Sequence, residues 1–324
     1  MGNRKGCTDI LTFVFVVCFC TASAVAQDAP ELVVCGFADF QQVVVDDSEE
    51  GDTGFFWGQV EVDIAASIDD CIDLGVAMGY DPAGESFVLG AMTIDFRLFG
   101  DAETHFNEAS IEHAGIIIGQ FDVPFGIDWL VYPSIDRQLV TGPIAVAGTH
   151  DGWNDLGMMS YLENGPFNAV FYVTNGLDSE TETADLAFGS RLGFLPTERV
   201  EVGVSYASVA NEAGDEFQSL LGVDGQLELG AFSAKGEFIS HKLGQNTDHP
   251  ETNEGYYAQG LYRFEQYSVF ARYGNYSPAA VYPETNRLCL GGGWVLREGA
   301  EIRCEYQFGD NLEDLAVIQY VVGF

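Results

Sequence analysis

Apolar and polar residues alternate along most of the chain. In residues 199–206, the apolar residues Val200, Val202, Val204 and Tyr206 are separated by polar residues or glycine. Successive side chains of a β-strand point to opposite faces, so this period predicts strands with one apolar and one polar face. In residues 56–68 the same rule puts the even-numbered residues on an apolar face. Trp57, Gln59, Glu61 and Asp63 fall on the polar face.

Two features favour a membrane barrel over a soluble β-sandwich, which also alternates. The apolar faces stay free of charge over about ten residues, the length that a tilted membrane-spanning strand needs, whereas soluble strands are usually shorter. Aromatic residues cluster toward strand ends, as in residues 55–57, at Tyr256 and Tyr257, and at Tyr306 and Phe308. Such clusters form girdles at the two membrane interfaces. The sequence therefore predicts an all-β fold, a transmembrane antiparallel up-and-down β-barrel.

The alternating segments predict sixteen strands, an even number that places both chain ends on one side. They are 32–45, 55–68, 71–80, 87–99, 115–122, 155–163, 166–175, 186–195, 199–209, 217–229, 230–241, 255–264, 266–275, 286–297, 299–308 and 315–324. Their connections are alternately short and long, and barrels of this kind have short periplasmic turns and long external loops. Residues 104–114 do not fit this alternation and are expected to form a long periplasmic connection.

The first 26 residues have the features of a secretory signal peptide. Arg4 and Lys5 precede an apolar run from Ile10 to Cys20, and Ala24 and Ala26 match the small-residue cleavage pattern. The run is too short for a membrane-spanning helix. We expect cleavage before Gln27, export, and a barrel formed by residues 27–324 in a bacterial outer membrane.

Charge limits the possible partners. The 324 residues include 50 Asp and Glu but only 13 Lys and Arg, a formal net charge of -37. Such a surface repels phosphate backbones, so nucleic acid is not expected as a partner. Outer-membrane lipid and small solutes or ions are the expected partners, and no cofactor or metal is expected.

The connection formed by residues 123–153 is the predicted control point of a channel. Sixteen-stranded barrels are wide enough for an aqueous lumen, and a loop of about thirty residues in a compact domain tends to be functional. Folded inward, it would narrow the lumen; the alternative is an external cap. The candidate constriction and lining residues are Asp122, Asp128, Asp136, Arg137, His150 and Asp151 near the loop, with Asp95, Arg97, Arg191, Arg263 and Arg303 on the wall.

The stretch "GQFDVPFGID", Gly119 to Asp128, resembles a signature of the phosphate-selective porin superfamily. "GFADFQ" (36–41), "GQVEVDI" (58–64) and "VLREGAEIRCEYQF" (295–308) are similar to other recurring pieces of that family. The resemblance implies a sixteen-stranded, trimeric outer-membrane channel. A phosphate-selective pore needs Lys and Arg in its lumen, but the inward positions here carry both signs of charge and the lysine-rich loops of that family are missing. We therefore expect passive diffusion with neutral or cation preference.

An outer-membrane enzyme or adhesin acting through its external loops is the alternative. His150 precedes two aspartates in "THDGWND", a combination that suggests acid–base chemistry or simply local hydrogen bonds in a glycine-rich loop. The histidine-containing loop 240–254 offers possible ligands for a divalent ion, although a solvated loop explains it equally. Cys289 and Cys304 fall on opposite faces of the barrel wall, so free thiols are expected.

The chain ends on an apolar strand whose last residue is Phe324. An open sheet edge in lipid would leave backbone groups unpaired, so this strand is predicted to pair with the first one, near residues 32–45. A terminal aromatic with alternating apolar residues also resembles the recognition signal of the barrel-assembly machinery, which is an expected partner through Phe324.

Overall fold

A computed structural model describes residues 31–45, 53–81, 86–99, 113–176, 186–210, 217–245, 251–279 and 283–324. The predicted signal peptide and residues 104–112 lie outside these ranges. His113 and Ala114 belong to a strand rather than to the predicted connection, because they pair in register with Glu163 and Leu162.

The described residues form a closed barrel of sixteen antiparallel strands, each paired with its neighbours in sequence. The strands are β1 Glu31–Val45, β2 Gly54–Asp69, β3 Ile72–Asp81, β4 Ser86–Phe99, β5 His113–Asp122, β6 Asn154–Asn164, β7 Phe167–Thr174, β8 Ala187–Thr197, β9 Val200–Ala210, β10 Phe217–Leu229, β11 Phe232–Leu243, β12 Glu251–Phe264, β13 Tyr267–Ser277, β14 Thr285–Arg297, β15 Ala300–Asp310 and β16 Leu315–Gly323. This confirms the predicted up-and-down barrel.

The barrel closes between its first and last strands. β1 pairs with β16 from Phe37 opposite Gly323 to Val45 opposite Leu315. Beyond this ladder, Gly36 and Phe324 exchange backbone hydrogen bonds of 3.2 and 3.0 Å. The terminal strand is therefore one side of a seam, as the alternation near the C-terminus predicts.

The two ends of the barrel differ in how the strands are connected. Two-residue turns join β2 to β3, β6 to β7, β8 to β9, β10 to β11, β12 to β13 and β14 to β15. Tight hairpin turns require positive φ, and Gly299 adopts a φ of 72° while Glu265 adopts 53°. This is the short-turn end. Loop 123–153 leaves from the opposite, long-loop end.

The outer face is apolar and has the aromatic bands expected of a membrane protein. At the short-turn end the rings of Tyr262, Phe264, Tyr267 and Trp294 follow one another with centroids 5.7 to 6.4 Å apart. Tyr80 and Phe87 pack at the long-loop end with centroids 5.5 Å apart. Leucine, valine and isoleucine lie exposed on many strands. These features fit a lipid-facing belt.

Strand β2 departs from the predicted alternation. Its ladder with β1 shifts register between Ala38 and Phe40, so the face on which side chains lie changes along the strand. Trp57, predicted to share a face with Gln59, is exposed and packs edge-on against Phe40 at 5.6 Å. The bulge therefore adds Trp57 to the outer aromatic residues while Gln59 points into the barrel.

Loop 123–153 contains little regular structure. It has one short helix, α1, at Ile144–Ala147 and a single turn of 3-10 helix at Trp129–Val131. Within the described ranges, no helix is long and apolar enough to cross a membrane. The loop's position is determined by its contacts with the barrel wall, which are described below.

The seam is packed against this loop, so it should be sensitive to added volume. The end of the Ile135 side chain lies over Gly323, so a side chain added there would have to displace it. We expect Gly323→Val to lower the free energy of unfolding by about 1–3 kcal/mol, because it overpacks the contact. Urea unfolding of the detergent-folded barrel measures this loss. Gly142→Ala is the control, because open space surrounds Gly142; equal stability of the two variants would contradict the described packing.

Candidate functional site

The inner face of the barrel carries buried polar and charged side chains. It includes Asp39, Asp155, Arg191, Asp224, Glu237, Gln259, Arg272, Arg303, Glu305, Gln307 and Gln319. These groups need partners, because an unpaired buried charge is costly. Many of the partners belong to loop 123–153, which connects β5 to β6.

The loop first contacts the wall at β8 to β12. Arg191 donates from Nε to the Gly126 carbonyl at 2.7 Å and forms ion pairs with Asp224 and Glu201 at 2.8 and 2.9 Å. Two residues along the loop, Asp128 is paired with the Lys235 ammonium group. Charge-assisted bonds of this kind are among the strongest in proteins, so they fix the first part of the loop.

Gly126 has a stereochemical role at this anchor. Its φ is 69°, a conformation that disfavours other residues, and a side chain there would overlap the carboxylate of Glu237. Phe125 beside it is 1% exposed and packs over Gly222 on the wall. The Pro-Phe-Gly segment therefore forms a close-packed bend where the loop enters the lumen.

The loop then descends to the short-turn end. Arg303 donates to the carbonyl oxygens of Ser134 and Ile135 at 2.7 and 3.2 Å. Gln59 on β2 accepts from the Ser134 N–H at 2.6 Å and from the Arg137 guanidinium at 2.8 Å. We call residues 133–137 the loop tip. It spans the inner side of the β1–β16 seam, from β15 to β2.

The returning segment is held by two buried charges of opposite sign. Glu305 accepts bonds from the Val140 N–H at 3.0 Å and from the Thr141 hydroxyl at 2.5 Å. Arg272 donates to the carbonyl oxygens of Thr141 and Gly142 at 2.6 and 2.9 Å. The dipoles of these backbone carbonyls thus stabilise the Arg272 charge in place of an ion pair with a carboxylate.

Helix α1 and the end of the loop complete the attachment. Ala145 and Ile144 pack over Gly255 and Gly274 on β12 and β13, where glycines give them room. Trp153 donates from its indole nitrogen to the Gly176 carbonyl at 2.7 Å. The loop therefore contacts β2 and strands between β8 and β16, and it lies inside the barrel against the wall.

The acidic groups around the loop tip differ from these anchors. Glu61 and Asp63 lie side by side on β2 within hydrogen-bonding reach of each other. Asp136 lies on the opposing loop tip, and its pKa is raised by desolvation although its carboxylate still reaches solvent. Among the described residues, none of these three carboxylates forms an ion pair. One part of the lumen is thus acidic.

The predicted site residues fall into distinct environments. Arg137 and Asp128 anchor the loop from within it, whereas Arg191 and Arg303 anchor it from the wall. Asp122 ends β5 and accepts a hydrogen bond from Asn154 at 2.8 Å. The remaining predicted residues, His150 and Asp151 in the loop and Asp95, Arg97 and Arg263 on the wall, are described next.

Asp95 and Arg97 lie on the inner wall of β4, away from the anchors. Asp95 accepts a bond of 3.1 Å from the Tyr161 hydroxyl, and Arg97 forms an ion pair of 2.7 Å with Asp73. Arg263 lies beside the two-residue turn at the short-turn end and is exposed. The structure therefore does not bring Arg263 together with the loop.

His150 and Asp151 lie next to each other but do not form an acid–base pair. The His150 Nδ1 lies 3.0 Å from the Thr149 hydroxyl, and its ring meets Phe125 edge-on at 4.9 Å. Desolvation lowers the pKa of His150 to about 4, against the opposing effect of Asp128, so the imidazole is neutral at pH 7. Partial burial raises the pKa of the neighbouring Asp151.

Several residues that hold the loop were not predicted from the sequence. Tyr257, interpreted from the sequence as part of an interface girdle with Tyr256, is 2% exposed and donates its hydroxyl to Asp128 at 2.6 Å. Only Tyr256 is on the outer face. Position in the alternation was the available signal: Tyr257, Gln259 and Glu305 all occupy inward positions, and an aromatic or amide there indicates an internal partner.

The described residues contain no group of His, Cys, Asp and Glu that could hold a metal ion. The stretch 240–254 is not all loop, because β11 continues to Leu243 and β12 begins at Glu251. His241, on β11, lies 3.2 Å from the Gln218 side-chain oxygen, while Asp248 and His249 lie outside the described ranges. Cys289 is buried in the barrel and Cys304 is exposed on the outer face; with Cys35 and Cys71 they are free thiols.

Arg272 should be more important for the position of the loop than Arg263, which the structure does not bring together with it. We expect Arg272→Met to destabilise the docked loop by about 1–3 kcal/mol for each buried acceptor left without a donor. The readouts are limited proteolysis within residues 123–153 and current noise in planar bilayers, both of which should rise. Arg263→Met is the matched control, because Arg263 is far from the loop. Equal protease resistance in both variants would refute the anchoring role.

Comparison with known proteins places the fold but not the family. No protein-family model and no curated protein matches the sequence. Among solved structures, it is similar to the anion-selective porin from Comamonas acidovorans, with a TM-score of 0.70 and 12% identity over 91% of this chain and 100% of that one.

Two further solved structures show the same similarity. OmpT with loop L8 deleted, an outer membrane protein of Vibrio cholerae, gives a TM-score of 0.67 and 14% identity over 92% of this chain and 100% of that one. A mutant of the Rh. blastica porin gives 0.58 and 14%, over 91% of this chain and 100% of that one. The chain therefore has a porin-like outer-membrane barrel fold.

Proposed function

We propose that this protein is an outer-membrane porin through which small hydrophilic solutes and ions diffuse passively. The observation that carries the proposal is the docking of loop 123–153 against the inner wall from β8 to β16 and at β2. The loop packs buried apolar residues such as Phe125 and Trp153 against one side of the inner wall, and we propose that the rest of the lumen stays open to water. The polar and charged side chains around the loop tip would suit hydrophilic solutes.

The charge arrangement supports a cation preference rather than phosphate selectivity. Arg191, Lys235, Arg303 and Arg97 are all paired with carboxylates, so their fields are largely cancelled. At the loop tip and on β2, the carboxylates of Glu61, Asp63 and Asp136 form no ion pair and outnumber the guanidinium of Arg137, whose partners are uncharged. Rings of acidic side chains favour cations.

We assign the predicted residues to two roles in this pore. Asp122, Asp136, Asp151, Asp95 and Arg97 would line the water-filled path, with Glu61 and Asp63. Asp128, Arg137, Arg191 and Arg303 would set the width of the path by holding the loop. His150, which is neutral at pH 7, would contribute shape rather than charge, and Arg263 would lie at the periplasmic mouth. The bonding of His150 to Thr149 gives no support to the enzyme alternative.

Export, assembly and oligomeric state belong to the same proposal. The chain would be cleaved before Gln27 and inserted with the short-turn end facing the periplasm, with Phe324 recognised by the barrel-assembly machinery. A solved structure of the similar OmpT of Vibrio cholerae is described as a trimer form, and we propose a homotrimer here. Native gels of the detergent-extracted protein test the trimer; migration as a monomer after mild extraction would contradict it.

Reversal potentials test the ion preference. In a salt gradient across a planar bilayer, the wild-type protein should pass mainly cations, and Asp136→Asn should shift the reversal potential toward zero because it removes an unpaired charge at the loop tip. Asp70→Asn, in an exposed turn, is the charge-matched control and should change little. Absence of channel currents would refute the porin, whereas currents carried by anions would refute only the cation preference.

The cation preference should also depend on pH. Burial raises the pKa of Asp136 and of Asp151, so on acidification their negative charge is lost at a higher pH than that of an ordinary aspartate. The reversal potential should therefore move toward zero on acidification, and this shift should be smaller in an Asp136→Asn, Asp151→Asn variant. An unchanged profile in that variant would remove these residues from the pH response.

A further inference from the structure

We infer that the mouth of the lumen beneath the loop tip is a binding site for small organic ammonium ions. This inference rests on the proposed channel function and names a class of solute that the channel would retain. It starts from a cavity of about 610 Å³ at the short-turn end, between the loop tip and the β1–β16 seam. Its volume is within the range of small-molecule sites, ~300–1,000 Å³.

The cavity combines apolar walls with a few polar groups on one side. Phe37, Pro133, Ile135 and Phe324 supply the apolar surface. Small-molecule sites are usually lined by apolar side chains with a few polar groups that converge on the ligand. Simple inorganic ions gain nothing from such walls, so the apolar surface points to a solute with an organic body.

The polar groups of the cavity are all acidic. Glu61 and Asp63 face it from β2, Asp136 from the loop tip and Glu298 from the β14–β15 turn. The described lining contains no Lys, Arg or His, so a negative potential is not neutralised within the cavity. A positively charged head group is therefore the complementary ligand, and an anionic solute of the same shape is excluded.

The nearest basic side chains, Arg137 and Arg303, do not line the cavity, and their N–H groups are used by other partners, so neither is offered to a solute there. Arg303 donates to Glu301 at 2.8 Å and to the Ser134 carbonyl at 2.7 Å. Arg137 donates to Gln59 and to the Tyr132 carbonyl, each at 2.8 Å. The site therefore favours a compact ammonium ion with an aliphatic or aromatic body.

Cys35 provides a direct reporter, because its exposed thiol lines the same cavity. The test protein carries Cys71→Ser and Cys304→Ser, which leaves Cys35 and the buried Cys289. We would measure the rate at which a neutral maleimide labels Cys35 in the folded, lipid-embedded protein. Benzyltrimethylammonium is the probe, and benzyl alcohol and benzenesulfonate are its neutral and anionic counterparts.

We expect benzyltrimethylammonium to slow the labelling of Cys35, with little effect from the two counterparts. Combined Glu61→Gln, Asp63→Asn and Asp136→Asn should raise the half-protecting concentration by about tenfold or more. Asp70→Asn, outside the cavity, should leave protection unchanged. If Cys35 is labelled at one rate with all three compounds, the site does not exist.

The failure of this inference can be separated from failure of the porin proposal. A protein that conducts in bilayers but shows no protection is a porin without the ammonium site. Equal protection by benzyl alcohol would mean apolar binding only and would also overturn the inference. Protection that survives removal of the three carboxylates would do the same, whatever the bilayer currents show.

Discussion

Backbone hydrogen bonding in a hydrocarbon environment is the constraint on which the rest of this structure depends. A sheet edge exposed to lipid would leave its N–H and C=O groups unpaired, each at a cost of several kcal/mol. Pairing of β1 with β16 removes both edges, and the last residues of the chain are used for this purpose. Closure then creates an inner face, and the loop rather than a second sheet supplies hydrogen-bond partners to part of it, including Arg272, Arg303 and Glu305.

The period-two alternation made the architecture predictable, because each strand must separate lipid from the interior along its whole length. Strand number, pairing order and the positions of the turns follow from that pattern together with chain length. The prediction fails locally at β2, where the bulge near Ala38 turns Trp57 outward. The alternation alone does not locate a bulge, because the extra residue exchanges the two faces while the period of two continues on either side of it.

The candidate site was predictable in composition but not in connectivity. Inward position and charge identified Arg191 and Arg303 from the sequence, but not their bonds to Gly126 and Ser134. Those contacts join residues far apart in the chain, and no local pattern encodes them. Tyr257 shows the limit most clearly, since it is an aromatic residue that serves as an internal hydrogen-bond donor. Only the path of the loop reveals which inward groups support it and which face water.

Attachment of the loop to one part of the wall divides the barrel's interior into regions with different mutational tolerance. On β11 to β15, side chains such as Arg272 and Glu305 are bonded to the loop backbone. The effects of substitutions there are therefore coupled, because these side chains belong to one hydrogen-bond network. On β3 and β4 the inner side chains pair mainly with their own neighbours, as Arg97 does with Asp73. Inner side chains can therefore diversify on one side of the barrel while the opposite side preserves the architecture.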